Sequence, residues 1–247
     1  MFGRKEVDDV LDGLRKDVGY FANEAHFQMS FAAKIMELYG KRFVLIPEYP
    51  INSNLNTSKV DNIDLLIIDS NNNDEKTFIE FKHKTTNTEK GSLKVTVKNA
   101  NISITPKPNS LNLGRFDCWS DIERLESYRM SSKLGISNAF FILITNDSRY
   151  WKQPKGGKFG DAFRMDCKRF ALGDKMWKSW DPKRPKRNNP QLLGSVDYSE
   201  LGAISEGRNR VISIKKSYDF HWGTFITAHS SNPSVNCCQY KRLIVEI

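Results

Sequence analysis

Cysteine is scarce in this chain. Four occur in 247 residues (Cys118, Cys167, Cys237 and Cys238), and no two stand in a C-x-x-C pair. The vicinal Cys237 and Cys238 cannot easily clamp one zinc ion together, so reduced structural thiols are expected rather than a zinc ribbon or a disulfide scaffold. The four histidines, His26, His83, His221 and His229, show no metal-ligand spacing. No run of about 18 apolar residues is present, which predicts no membrane span. The opening stretch MFGRKEVDDVLDGLRKD is charged throughout and lacks the apolar core of a signal peptide; the expectation is a cytoplasmic protein. Internal repeats and low-complexity tracts are also missing.

What the chain does have is positive charge in one place. Its formal net charge is +9. Between Lys152 and Ser195 stand twelve Lys or Arg and four Asp, which is +8 within 44 residues. Phe159, Phe163, Phe170, Trp177 and Trp180 are interleaved with them. A cationic stretch attracts a polyanion and releases its counterions, and aromatic rings stack on bases. Lys155, Lys158, Arg164, Lys168, Arg169, Lys183, Arg184, Lys186 and Arg187 are therefore the candidate nucleic-acid contacts, and DNA contacts if the nucleic acid is DNA. For Trp177 and Trp180, packing competes with stacking. Gly156, Gly157, Pro182, Pro185 and Pro190 predict loops and short elements, an insertion over 152–195 rather than a separate domain.

Periodicity predicts a helix over 6–18, with Val7, Val10, Leu11, Leu14 and Val18 on one face, and a second over 21–39, with Phe27, Phe31, Ile35 and Leu38 buried. Glu24 falls on the buried side of the second helix, where a carboxylate is costly unless paired. Strands are expected at 43–51 and 62–70, and at 77–82, the last two forming a hairpin about Asn71–Asp74. The polar stretch 85–108 is an excursion or extra strands. A helix over 119–132, a buried strand over 138–145, and strand-like runs at 210–214, 224–226 and 243–247 follow. This order predicts an α/β fold: a mixed central sheet flanked by helices, with an elaborated C-terminal part.

Glu80 and Lys82 stand at i and i+2 of an apolar strand, so they leave the same face roughly 6–7 Å apart while Phe81 faces the core. Asp64 lies within the preceding apolar strand. Paired strands run about 5 Å apart, which brings Asp64 within metal-bridging distance of Glu80. Two carboxylates with an open coordination shell suit Mg²⁺, with Mn²⁺ as a substitute. The chemistry such a group serves is phosphodiester hydrolysis, with Lys82 holding the attacking water or stabilising charge on the phosphate. Glu24 would complete the metal shell. Asp61 is the competing ligand for the place of Asp64. Acid-x-Lys recurs at Asp74, Asp166 and Asp181, but only Glu80 lies in an apolar strand with a second strand acid upstream. His83 falls on the opposite face and is expected to be structural.

Asp64 followed by Glu80-x-Lys82 on the next strand resembles the PD-(D/E)xK motif of the restriction-endonuclease-like superfamily. Ile63 stands where that motif has its leading proline. The helix carrying Glu24, the helix over 119–132 and the strand ending at Thr145 resemble the rest of the common core, so the resemblance covers about residues 20–150. It implies a single nuclease domain over 1–247 that hydrolyses double-stranded DNA with Mg²⁺. A type II restriction or defence endonuclease working as a homodimer fits best, with Asp64, Glu80, Lys82 and Glu24 as its catalytic residues. A non-cleaving DNA-binding protein of the same fold, a ribonuclease, a repair nuclease and a basic scaffold protein are the competing expectations.

Overall fold

The computed structural model describes residues 1–18, 20–51, 61–72, 75–85, 93–97, 100–104, 111–152, 165–166, 169–170, 212, 214–228 and 238–247. The chain forms two compact units. One comprises Met1–Pro108, Leu125–Asp147 and Trp222–Ile247, the other Asn109–Arg124 and Ser148–His221. The first holds most of the expected core at 20–150.

Two helices open the first unit, α1 (Arg4–Asp17) and α2 (Glu24–Tyr39). The strands β1 (Phe43–Ile51), β2 (Asp61–Asp69) and β3 (Glu75–Lys84) follow, then the separate hairpin of β4 (Leu93–Val97) and β5 (Ala100–Ile104). After α3 (Leu111–Arg129) come β6 (Ile136–Thr145), β7 (Arg169–Phe170), β8 (Tyr218–Asp219), β9 (Trp222–Ala228) and β10 (Cys238–Glu246). Six strands make one mixed sheet in the order β1-β2-β3-β6-β10-β9. The β3–β6 pairing is parallel and the other four pairings are antiparallel. The chain is thus α/β, with a mixed six-stranded sheet flanked by helices. Among the described residues no helix is long and apolar enough to cross a membrane.

Alternation decides which face each strand residue serves. Leu65, Ile67, Ile79 and Phe81 join Phe140, Ile142 and Ile144 in one buried cluster with Val7, Val10, Leu11 and Leu14 of α1 and Phe27, Phe31 and Ile35 of α2. Phe81 is its pivot, edge-on to Phe27 at 4.9 Å and to Phe31 at 5.0 Å between ring centroids. On the opposite face, Phe78 meets Tyr128 at 6.1 Å. The Asn23 side chain caps α2 by accepting from the His26 N–H at 2.8 Å. Glu24 is therefore the first helical residue, not one lying within a helix begun at Phe21.

Four expectations are corrected. Leu38, expected in the buried stripe of the second helix, is 45% exposed, and the buried residues of α2 end at Ile35. The third helix starts at Leu111, eight residues before the expected Trp119. Gly114 interrupts the helical pattern there, yet a Cβ at that position would collide with the Tyr150 hydroxyl. Of the run at 210–214, Ile212 and Ile214 lie outside any strand. The tail strands are longer than expected, and β10 lies inside the central sheet between β6 and β9. The second unit packs Trp119 on Phe220 at 5.1 Å, and its buried Arg115 donates to the Arg149 carbonyl.

The hairpin of β2 and β3 is anchored at its turn end. Asp69, fully buried, accepts from Arg42 Nη2 at 2.8 Å, from the Asn71 N–H at 3.1 Å and from the amino terminus. The Arg42 guanidinium, chiefly, holds the Asp69 carboxyl at about 2, against an ordinary 3.8. A depressed carboxyl stabilises the fold fully above its unfolded value. That contribution is lost as pH falls from about 4 through about 2. Asp69→Asn is expected to lower stability at pH 7 by about 2 kcal/mol and to flatten this acid limb. Urea denaturation at pH 7 and pH 3 measures both. An unchanged acid limb in the variant would show that Asp69 does not govern it.

Candidate active site

The β2–β3 ladder runs from Asp69↔Glu75 to Leu65↔Ile79 and stops. The next residues along the two strands are Asp64 and Glu80. Beyond that point β2 continues beside β1, from Tyr49↔Ile63 to Ile51↔Asp61. β3 continues beside β6, as far as Lys84↔Thr145. The two strands separate, each held by its outer neighbour.

Alternate residues of a strand aim their N–H groups at the same side. Past Ile79, the N–H groups of Phe81 and His83 face the side from which β2 has departed. A backbone donor withdrawn from water and left without an acceptor costs about 1–3 kcal/mol. Two carboxylates supply the acceptors. The Phe81 N–H donates to Asp64 Oδ2 at 2.6 Å, and the His83 N–H donates to Glu24 Oε2 at 2.9 Å. Charge-assisted bonds of this kind are shorter and stronger than neutral ones. The same opening sets Asp64, Glu80 and Lys82 on one face. Glu80 is only 1% exposed, and the Lys82 side chain is 15% exposed. Glu24 Oε1 stands 3.8 Å from Lys82 Nζ.

Asp64 and Glu80 thus each stand one residue past the last β2–β3 pair, at the mouth of the split, whereas Glu24 comes from the first turn of α2 and engages β3 at residues 82 and 83. Asp61, the alternative to Asp64, accepts from the Tyr128 hydroxyl at 3.1 Å. That bond ties Asp61 to α3. His83 packs its ring edge-on to Phe21 at 6.2 Å, and its Nε2 has no hydrogen-bond partner among the described residues. Burial, reinforced by His26 and Lys84, pushes its pKa down to about 4. The imidazole is neutral at physiological pH.

Glu48 escaped the sequence reading. It falls where the β1–β2 register skips from Pro47↔Leu65 to Tyr49↔Ile63, across from Asp64. Its φ of 48° is the only left-handed value at a non-glycine among the described residues. Such a conformation costs of order 1–3 kcal/mol and clusters at functional sites. Of the candidate DNA contacts, Lys155, Lys158, Arg164, Lys168, Lys183, Arg184, Lys186 and Arg187 lie outside the described residues. The backbone of Arg169 pairs with Asp219.

Comparison with family models, with curated proteins and with solved structures returned no match. The assignment of a function accordingly rests on the site itself.

The donors suit a hard cation. Asp64 and Glu80 offer carboxylate oxygen, one of them almost wholly withdrawn from water. Among the described residues no cluster of three or more His, Cys, Asp or Glu could hold a metal ion. Mg²⁺ needs no such cage: it typically takes one or two carboxylates and completes its shell with water and substrate phosphate.

Asp64 has a structural duty separable from any chemical one. Asp64→Ala leaves the Phe81 N–H without its acceptor and is expected to lose about 1–3 kcal/mol. Asp64→Asn keeps an oxygen for that N–H and should lose under about 1 kcal/mol. Thermal unfolding of the two variants side by side checks this. Equal stability would mean that the Phe81 bond does not hold the split open.

Proposed function

We propose that this chain is a Mg²⁺-dependent nuclease of the PD-(D/E)xK type, with a restriction-endonuclease-like core that hydrolyses DNA phosphodiester bonds. The observation that carries the proposal is the split between β2 and β3. It presents Asp64, Glu80 and Lys82 on one face at the point where two acidic side chains cap the freed backbone. A surface ion pair would not require a sheet to part, nor a carboxylate as buried as Glu80.

In this scheme Asp64 and Glu80 hold the metal, and Mn²⁺ substitutes for Mg²⁺. A bound Mg²⁺ supplies Lewis-acid polarisation of the scissile phosphate. Asp64 is fixed in direction by the Phe81 N–H, and Glu80 by its place on a strand paired to β6. Lys82 Nζ, on the same face as Glu80, presents its protons to the attacking water and to the phosphate oxygen that gains charge. The strand partners hold these groups before substrate arrives, which is what preorganised catalysis needs. The basic segment 152–195 supplies nonspecific attraction for the duplex, and a homodimer would allow both strands to be cut.

Incubation of supercoiled plasmid and of structured RNA with the protein in millimolar Mg²⁺ tests the proposal. The parent is expected to cut DNA and to stop when the metal is chelated. Glu80→Gln and Lys82→Met should each lose roughly 10²–10³-fold in rate while still binding DNA. Asp64→Asn should lose activity while retaining its stability. Cleavage of RNA alone would redirect the proposal to a ribonuclease. Binding of DNA without cleavage by the parent would replace it with a recognition protein.

A further inference from the structure

We infer that Glu24 is a positioning residue for Lys82 and stands outside the metal shell; this rests on the nuclease reading above. Its two carboxylate oxygens meet consecutive residues of β3. Oε2 accepts from the His83 N–H at 2.9 Å, and Oε1 lies 3.8 Å from Lys82 Nζ. The His83 backbone is fixed by its pairing with Ile144 of β6, so the carboxylate is anchored to the rigid strand that carries the lysine. The anchored oxygen directs the second one at the ammonium.

A lysine side chain has four rotatable carbons and a compact, strongly hydrated charge, and it wanders unless something aims it. An acid tethered to the next residue's backbone does that. At 3.8 Å the pair sits near the outer end of ion-pair range. The carboxylate charge draws the ammonium toward it and so limits where the lysine side chain can point. A divalent cation drawn to Oε1 would instead stand beside the Lys82 ammonium, and the two positive charges would repel. Asp64 differs: its anchor is the Phe81 N–H, and it stands, like Glu80, one residue past the last β2–β3 pair. The two capping acids thus divide the work, with Asp64 serving the cation and Glu24 serving the lysine.

The test uses the full chain as parent, Glu24→Gln, Lys82→Met and the double variant. Gln retains an acceptor for the His83 N–H but lacks the charge that draws the ammonium. Two readouts are taken: Ca²⁺ affinity by isothermal titration calorimetry, and plasmid cleavage rate against Mg²⁺ concentration. Glu24→Gln is expected to keep its Ca²⁺ affinity and its half-saturating Mg²⁺ within about 2-fold of the parent, while its maximal rate falls roughly 10–100-fold. The double variant should be no slower than Lys82→Met alone, because both changes remove one function. A Ca²⁺ affinity weakened about 10-fold or more in Glu24→Gln would place Glu24 in the metal shell and overturn the inference. Full additivity with Lys82→Met would overturn it as well. In both cases a parent that cleaves leaves the nuclease reading standing. A parent that neither cleaves nor binds Ca²⁺ overturns the nuclease reading, and this inference with it.

Discussion

The stretch of β3 that has parted from β2 governs the candidate site. A strand in the middle of a sheet has both rows of backbone groups satisfied by its neighbours. β3 keeps β6 from Lys76 to Lys84 but loses β2 after Ile79. Two N–H groups are thereby exposed in an interior that offers them little water. They need acceptors, and the acceptors come from Asp64 and Glu24. The backbone's need for hydrogen bonds and the placing of acidic groups beside Lys82 are therefore one event. The acidic mouth is what stabilises the parting of the strands, and the parting is what gives the mouth its shape.

Much of this was legible in the residues themselves. The run IDLLIID and the alternation of TFIEFK mark two strands, and i, i+2 spacing places Glu80 and Lys82 on one face. The helices α1 and α2 follow from their apolar stripes. The sequence could not reveal where a ladder ends, because pairing is set by the partner strands and not by the residues on one of them. Periodicity puts Glu24 on the buried side of a helix begun at Phe21, whereas Asn23 caps that helix and makes Glu24 its first residue. Its long side chain then reaches the open side of β3.

Two other features were hidden for a different reason. Glu48 adopts φ of 48° at a position flanked by Pro47 and Tyr49, with no glycine or asparagine to signal it. Tertiary constraint alone explains a left-handed glutamate in a strand. Gly114 misled in the opposite direction. A glycine within a helix weakens the pattern by about 1 kcal/mol against alanine, yet here it makes room for the Tyr150 hydroxyl. Local preference and packing point opposite ways at both positions, and packing wins.

The place of β10 has a consequence for how the protein comes to be made. Leu143 pairs with Leu243, and Phe141 with Val245, across about a hundred residues of chain. Closing so long a loop is entropically slow, and contacts of this span form late. Until they form, β6, whose Phe140 to Thr145 are all destined for burial, presents a bare apolar edge. While a ribosome is still supplying residues 146–237, that edge is an invitation to aggregation. During that interval β3 would lean on a neighbour that is itself only half supported. Maturation of the acidic mouth is in this sense postponed to the last stretch of synthesis.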